Sequence, residues 1–281
     1  MVTQTVKSSG ERGRSMRLLL AIFIMAMAGS AGANERWLEL KTAYFGDRAI
    51  HSGETVIGLE APKRAHDAAT VPIVIKSLNP GQLIRQVHLI VDKNPLPLAG
   101  IFRINEAAKN WESIETRIRI NEYTDVRAIA ELEDGTLHMA SQFVKASGGC
   151  SAPAMSDMDL AMKRAGKMKL LFDPVTEGRA SSAEAVIKIS HPNNSGMQFD
   201  QISRNYIPAF YVHSIAAEIG GRQLIDVETN FSMSENPVVR LNFKPGDELP
   251  KAAAQMRVYA EDSKGNRYEK SLQLQQGALA D

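Results

Sequence analysis

The chain has 281 residues, with 33 Lys and Arg against 32 Asp and Glu and a formal net charge of +1. Near-neutrality, with basic residues spread rather than clustered, excludes a nucleic-acid binder of the usual basic-stripe kind. A hydrophobic fraction of 44% is ordinary for a globular protein, and two tryptophans are too few for a propeller built on repeated aromatic motifs.

The N-terminus carries the first signal. Arg12, Arg14 and Arg17 precede an apolar run, Leu18 to Ala28, and Ala31-Gly32-Ala33 follows. A charged segment, a short apolar segment and an A-x-A site predict a secretory signal peptide over 1–33, cleaved after Ala33. The run is shorter than the roughly 20 residues a spanning helix needs. Export to the periplasm is the expectation, with no membrane attachment after cleavage, since no later segment is apolar enough to span. Met1 and Met16 both stand as candidate starts.

Trp37 to Phe45 has helical spacing. Strand patterns follow. Thr55 to Leu59 and Val71 to Lys76 are short apolar runs, and Val87, Leu89 and Val91 alternate with polar neighbours up to Asn94-Pro95. Ile114, Thr116, Ile118 and Ile120 form one face against Glu115, Arg117 and Arg119. Val126 to Leu132, the turn at Asp134-Gly135, and Leu137 to Lys145 read as a hairpin. Ser147-Gly148-Gly149-Cys150-Ser151-Ala152-Pro153 then lacks side chains able to build a core. Beyond it Ser156 is placed to cap a helix, with Asp157 and Asp159 at its start and Lys163, Arg164 and Lys167 at its end. Thr176 to Ala183 reads as a loose stretch. Val186 to Ile189 resumes the strand pattern. His213 to Ile219, Gly220-Gly221 and Gln223 to Thr229 read as a second hairpin, and Val238 to Phe243, Met256 to Glu261 and Arg267 to Leu274 complete the series. The expected class is all-β: two immunoglobulin-like β-sandwich domains joined by a linker with a short helix.

A single cysteine in an exported chain cannot close an internal disulfide. It is either a functional thiol or a buried inert one. The small and polar neighbours of Cys150 predict an exposed thiol outside both cores, with Gly148 and Gly149 as a flexible arm. Lys145 is the one cation close to it in sequence. Cys150 with Met155, Met158 and Met162 has the softness of a Cu(I) set, but helical spacing explains the methionines as an apolar face. His51, His66, His88, His138, His191 and His213 show no metal-ligand spacing. Glu133-Asp134 and Glu261-Asp262 read as solvated turn residues. No nucleophile elbow, phosphate loop or dinucleotide fingerprint is present, so neither a catalytic site nor a cofactor is expected.

Two sets of segments resemble known partner proteins. Val71-Pro72-Ile73, Asp92-Lys93-Asn94-Pro95-Leu96-Pro97 and Phe143-Val144-Lys145-Ala146-Ser147-Gly148-Gly149-Cys150 resemble the sulfur carrier SoxY. Ile187-Lys188-Ile189-Ser190-His191-Pro192, Ile207-Pro208-Ala209-Phe210 and Ser234-Glu235-Asn236-Pro237 resemble its partner SoxZ. The fused order is similar to SoxYZ-like carriers associated with quinoprotein dehydrogenases. The resemblance implies a SoxY-like domain over 34–150, a linker over 151–182 and a SoxZ-like domain over 183–281. It implies that Cys150 holds a thiosulfate-derived sulfur species covalently for Sox-type enzymes, or serves a quinoprotein dehydrogenase and its cytochrome. Ser151-Ala152 replace the two glycines that follow the cysteine in the family, and the arm is internal rather than a free tail. A non-covalent accessory module for a quinoprotein dehydrogenase, with Cys150 dispensable, remains open, as does a thiol-redox or Cu(I)-handling role.

Overall fold

The computed structural model describes residues 35–153, 157–177, 180–245 and 255–274. The expected signal peptide, with Met155 and Ser156, lies outside them. The chain divides into two units, residues 1–47 and 48–281. The first contains a helix, α1, over 35–45, as its spacing predicts. Arg36 and Glu39 pair across one turn at 3.0 Å, and Gly46, with φ 59°, donates its N–H to the Thr42 carbonyl to end the helix.

The second unit is built of β-strands. In chain order they are β1 (Ile50–Ser52), β2 (Ile57–Glu60), β3 (Val71–Ser77), β4 (Ile84–Val91), β5 (Leu98–Ile104), β6 (Trp111–Ile118), β7 (Thr124–Leu132) and β8 (Leu137–Val144). A short helix, α2 (Met158–Arg164), separates these from β9 (Met168–Glu177), β10 (Ala180–Ile189), β11 (Phe199–Asp200), β12 (Asn205–Tyr206), β13 (Val212–Ile219), β14 (Arg222–Thr229), β15 (Val238–Phe243), β16 (Gln255–Asp262) and β17 (Arg267–Gln273).

These strands form two sandwich-like domains whose sheets run on from one into the other. One sheet has the order β1-β8-β7-β4-β5-β14-β13-β16-β17, the other β2-β3-β6-β15-β10-β9. The joins are antiparallel pairs: β5 meets β14, with Ile104 opposite Ile225, and β6 meets β15, with Trp111 opposite Phe243. One hydrophobic core follows, taking Val87, Phe102 and Ile114 from the first half and Ile225, Val239 and Phe243 from the second. Alternation along β6 and β16 places apolar residues inward, as the period-two pattern requires.

Three readings change. Thr176 to Ala183 is not loose: Met168–Glu177 pairs residue by residue with Ala180–Ile189, as the outer hairpin of the six-stranded sheet. The cap of α2 is Asp157, whose Oδ1 accepts the Leu160 N–H at 3.0 Å. Arg119, expected on the polar face of its strand, is buried, because β6 ends at Ile118 and the two-residue phase is lost there.

Because two strand pairs and one core cross between the halves, a chain cut at an engineered protease site at 154–156 should elute as one species in size-exclusion chromatography and come apart only in denaturant. Independent elution of the fragments in native buffer would refute the shared-sheet architecture.

Candidate functional site

Cys150 follows β8 and closes a tight turn. Gly148 N–H donates to the Asn121 carbonyl and Gly149 N–H to the Ile120 carbonyl, each at 2.9 Å, and Ser151 N–H returns to the Gly148 carbonyl at 3.2 Å. The two glycines act differently. Gly148 has φ 80°, a conformation L side chains rarely adopt. Gly149 permits close approach: a Cβ there would lie 2.0 Å from the Ala68 carbonyl oxygen and 2.7 Å from that of Ile120. In this conformation the glycines seat the segment against the sheet rather than loosen it.

The expectation of an exposed thiol is therefore corrected: Cys150 is fully buried. Small neighbours leave room for other parts of the chain to cover it, and those parts are distant in sequence. Burial pushes the thiol pKa up to about 11, opposed in part by the positive field of Arg119. In this seat the group is a protonated thiol at neutral pH, a poor nucleophile.

Arg119 is the centre of the seat. Its Nη1 donates to the Gly149 carbonyl at 3.3 Å and its Nη2 to the Asn193 carbonyl at 3.2 Å. Burial lowers its pKa, while Cys150, Glu235 and Asp67 favour its charge. Its enclosed Nε has no hydrogen-bond partner among the described residues. The second half supplies the other contacts. Ser195 Oγ donates to the Cys150 carbonyl, and Gln198 Nε2 donates to the Ala152 carbonyl at 3.2 Å. Gln198 Oε1 in turn accepts the Ser195 N–H at 3.1 Å.

The motif segments quoted above converge on this seat. Asn94 accepts the Asn121 N–H at 2.9 Å and donates to the Arg119 carbonyl at 2.8 Å and to Ser232 Oγ at 3.2 Å. The loop bearing Asn94 is fixed by Asp92, which receives Arg127 Nη2 at 2.8 Å and Arg127 Nε at 2.9 Å. Asn193, at φ 47°, donates its N–H to His191 Nδ1 at 3.1 Å and its Nδ2 to the Met233 carbonyl at 3.2 Å, and its Oδ1 accepts the Val212 N–H at 3.0 Å. His191 and Asn236 exchange two bonds, His191 N–H to Asn236 Oδ1 at 3.1 Å and Asn236 N–H to the His191 carbonyl at 2.9 Å. Such dense pairing is what buried polar groups require.

His191 is enclosed, its ring centroid 4.3 Å from that of Phe210 and its Nε2 3.7 Å from Asp262 Oδ2. Burial pulls its pKa down to about 4, against the raising influence of Asp262. Asp262, expected as a solvated turn residue, is instead the buried last residue of β16, just before the turn. It accepts from Tyr268 Oη at 2.6 Å and from Asn266 and Lys264 N–H groups.

Of the methionines named above, Met155 lies outside the described residues. Met158 Sδ lies 3.7 Å from Asn194 Nδ2, and Met162 is exposed while Cys150 is buried. Among the described residues no three His, Cys, Asp or Glu side chains come together as a metal site.

Fold and seat together define a class: a thiol-bearing β-sandwich protein in which one half holds the cysteine turn of the other. The comparisons agree with that division. The family model described as "Sulfur oxidation protein SoxY" matches residues 41–150, and that described as "Sulphur oxidation protein SoxZ" matches residues 174–273. The chain is thus a SoxY–SoxZ fusion, and its role is that of a carrier in sulfur oxidation. A similar solved structure is the sulfur carrier protein SoxY from Chlorobium limicola f thiosulfatophilum, 21% identical, covering 43% of this chain and 99% of that one, with a TM-score of 0.36. Another is the YadV chaperone, 11% identical, covering 78% of this chain and 99% of that one, with a TM-score of 0.20. No curated protein matches the chain.

Two measurements test the seat. Gly149→Ala should lower stability by about 1–3 kcal/mol, the usual range for overpacking, and should speed alkylation of Cys150; an unchanged denaturation midpoint and labelling rate would refute the close approach. The second concerns pH. An unfolded histidine gains its proton near pH 6.5, whereas folded His191 stays neutral down to about 4. Between those values the unfolded state binds more protons, so stability is full above about pH 6.5 and falls as pH drops, by up to about 1.4 kcal/mol per pH unit. Urea midpoints across this window should fall less steeply for His191→Asn; parallel profiles would show that His191 is not the group concerned.

Proposed function

We propose that this protein holds a sulfur species covalently on Cys150 and presents it to partner enzymes in the periplasm, without a catalytic site of its own. The observation that carries this reading is the position of the thiol. Cys150 is the last residue of the SoxY match, and its turn is held by Ser195 and Gln198 from the SoxZ match directly and by Asn193 of that match through Arg119. Before loading, the seat keeps the free Cys150 thiol out of water and protonated. Release of the turn would break the backbone bonds of Gly148 and Gly149 and the bonds from Arg119, Ser195 and Gln198. An exposed thiol then returns toward an ordinary pKa of about 8.5 and becomes a usable nucleophile.

The chain needs partners for this chemistry. Joining the Cys150 sulfur to a second reduced sulfur forms an S–S bond and releases a proton and an electron pair. With one cysteine, the chain has no disulfide of its own to accept those electrons. Sox-type enzymes are the partners this reading favours; a quinoprotein dehydrogenase and its cytochrome are the other candidates.

Intact-mass and peptide mass spectrometry of protein purified without reductant, from cells oxidising reduced sulfur compounds, tests the assignment. Sulfur-containing mass additions are expected on the Cys150 peptide and absent from Cys150→Ser. A bare thiol throughout, with a deletion phenotype that Cys150→Ser fully rescues, would sink the covalent reading and leave the non-covalent module.

Export rests on the Arg-flanked apolar run before Ala33. Protein recovered from the periplasm should begin at Asn34 by N-terminal sequencing; a mature chain retaining Leu18 to Ala28 would contradict it.

A further inference from the structure

The outer surface of the six-stranded sheet holds a groove of about 560 Å³ running across β3, β6, β15, β10 and β9. Its charge is one-sided. Arg240 is neutralised, by Glu115 at 3.3 Å and Glu184 at 2.6 Å. Arg117, Lys167, Lys169 and Lys188 are exposed along the same groove. None of these four makes an ion pair among the described residues. The remaining carboxylate of the lining, Glu235, is buried and faces the field of Arg119.

One pair stands out energetically. Lys169 on β9 and Lys188 on β10 lie directly opposite each other in the antiparallel ladder. Directly opposed residues share a sheet face with Cβ atoms roughly 5 Å apart, and like charges there are destabilising. Within the folded chain nothing described offsets this repulsion. A bound row of carboxylates would.

The groove also ends at the carrier seat. Ser234 N–H donates to the Arg117 carbonyl at 3.1 Å, Glu235 follows it in the groove wall, and Arg119 lies on the same strand end as Arg117. An occupant of the groove would therefore sit beside the structure that holds Cys150.

We propose that this groove is a docking surface for an acidic segment of a partner protein, read by Arg117, Lys167, Lys169 and Lys188. A small anion would be held by a few convergent donors, whereas these cations are strung across three strands and the turn before β9, a spacing suited to an extended acidic chain. Complementary charge of this kind speeds encounter and fixes orientation. That the partner is an enzyme serving Cys150 rests on the carrier reading; the groove's preference for acidic chains does not.

The test uses the full mature chain carrying Cys150→Ser, so that its outcome is independent of thiol chemistry. A fluorescently labelled oligoglutamate peptide is the probe, with oligolysine as its control, followed by anisotropy. Oligoglutamate should bind and oligolysine should not, and binding should weaken steeply as sodium chloride rises from about 50 mM to about 500 mM. Charge reversal by Lys169→Glu with Lys188→Glu should weaken binding at least roughly tenfold. The equal charge change Lys63→Glu with Arg64→Glu, at exposed residues outside the groove, should leave it unaltered. Lys169→Gln with Lys188→Gln gives a milder variant should the reversal impair folding. Equal losses from the two reversals, or no binding by oligoglutamate, would overturn the groove. Displacement of the peptide by millimolar thiosulfate, with sodium chloride of equal ionic strength inert, would overturn the protein occupant in favour of a small sulfur oxyanion.

Discussion

A guanidinium enclosed in protein is held in place by the acceptors around it, and that of Arg119 ties two carbonyls that come from opposite halves of the chain, Gly149 and Asn193. Placing a charge there is unfavourable unless its donors are used, and removing one acceptor leaves it stranded. Much else follows from that bond pair. The 148–151 turn must press close enough for its carbonyl to reach Arg119, so residue 149 has no room for a Cβ. Residue 193 must turn its carbonyl toward Arg119 while its side chain holds Val212 and Met233. Asparagine tolerates the left-handed backbone this requires better than most residues. His191 must keep Nδ1 unprotonated to accept the Asn193 N–H, and its buried position against Phe210 favours that neutral state.

On the carrier reading proposed above, the same arrangement separates two requirements that the thiol would face. Reactivity calls for ionisation, and ionisation calls for water or a nearby cation. Protection of the free thiol between uses calls for the exclusion of water and of stray oxidants. A positive charge beside Cys150 gives partial help to the thiolate, yet desolvation outweighs it while the turn is seated. The balance is set by position rather than by residue type: Arg119 favours the thiolate, and burial outweighs it.

How much of this was legible in the sequence depended on whether the cause was local. Strands with one face buried, such as β6 and β16, announce themselves by alternation, and the hairpins by Asp134-Gly135 and Gly220-Gly221. β5 was missed because it is central, between β4 and β14, and its Leu-Ala-Gly-Ile-Phe-Arg-Ile run is buried at Ala99, Gly100, Phe102 and Ile104 without a clean period. β9 is hard to see because the small and polar start of its partner, Ala180 to Ala185, carries no strand pattern and leaves β9 without an evident neighbour. At the site, motif order identified Cys150, Gly148 and Gly149, and the motif segments about Asn94, His191 and Asn236 do meet around them. Burial of the thiol was not legible. Small polar neighbours are compatible with exposure and with being covered, and Arg119, Ser195 and Gln198 decide between these from 31, 45 and 48 residues away. The inward turn of Arg119 was not legible either, because the alternation runs unbroken through Ile120 and the phase is lost only where β6 ends at Ile118.

Fusion changes what such a turn can do. In a chain that ends after its cysteine, a released arm sweeps freely. Here Ala146 is buried on one side and Asp157 caps α2 on the other. Roughly ten residues lie between these anchors, and at about 3.5 Å per residue an arm pinned at both ends reaches at most about 17 Å from them. On the carrier reading proposed above, a partner's active site would come to the sulfur rather than the sulfur to it, and recognition would fall on rigid surface near the seat. The shared sheets supply that rigidity. Because β6 and β15 pair across the join and both end beside Arg119, any surface presented by the six-stranded sheet is fixed in register with the cysteine turn. Orientation that a free arm obtains by motion is obtained in this chain by hydrogen bonds between strands.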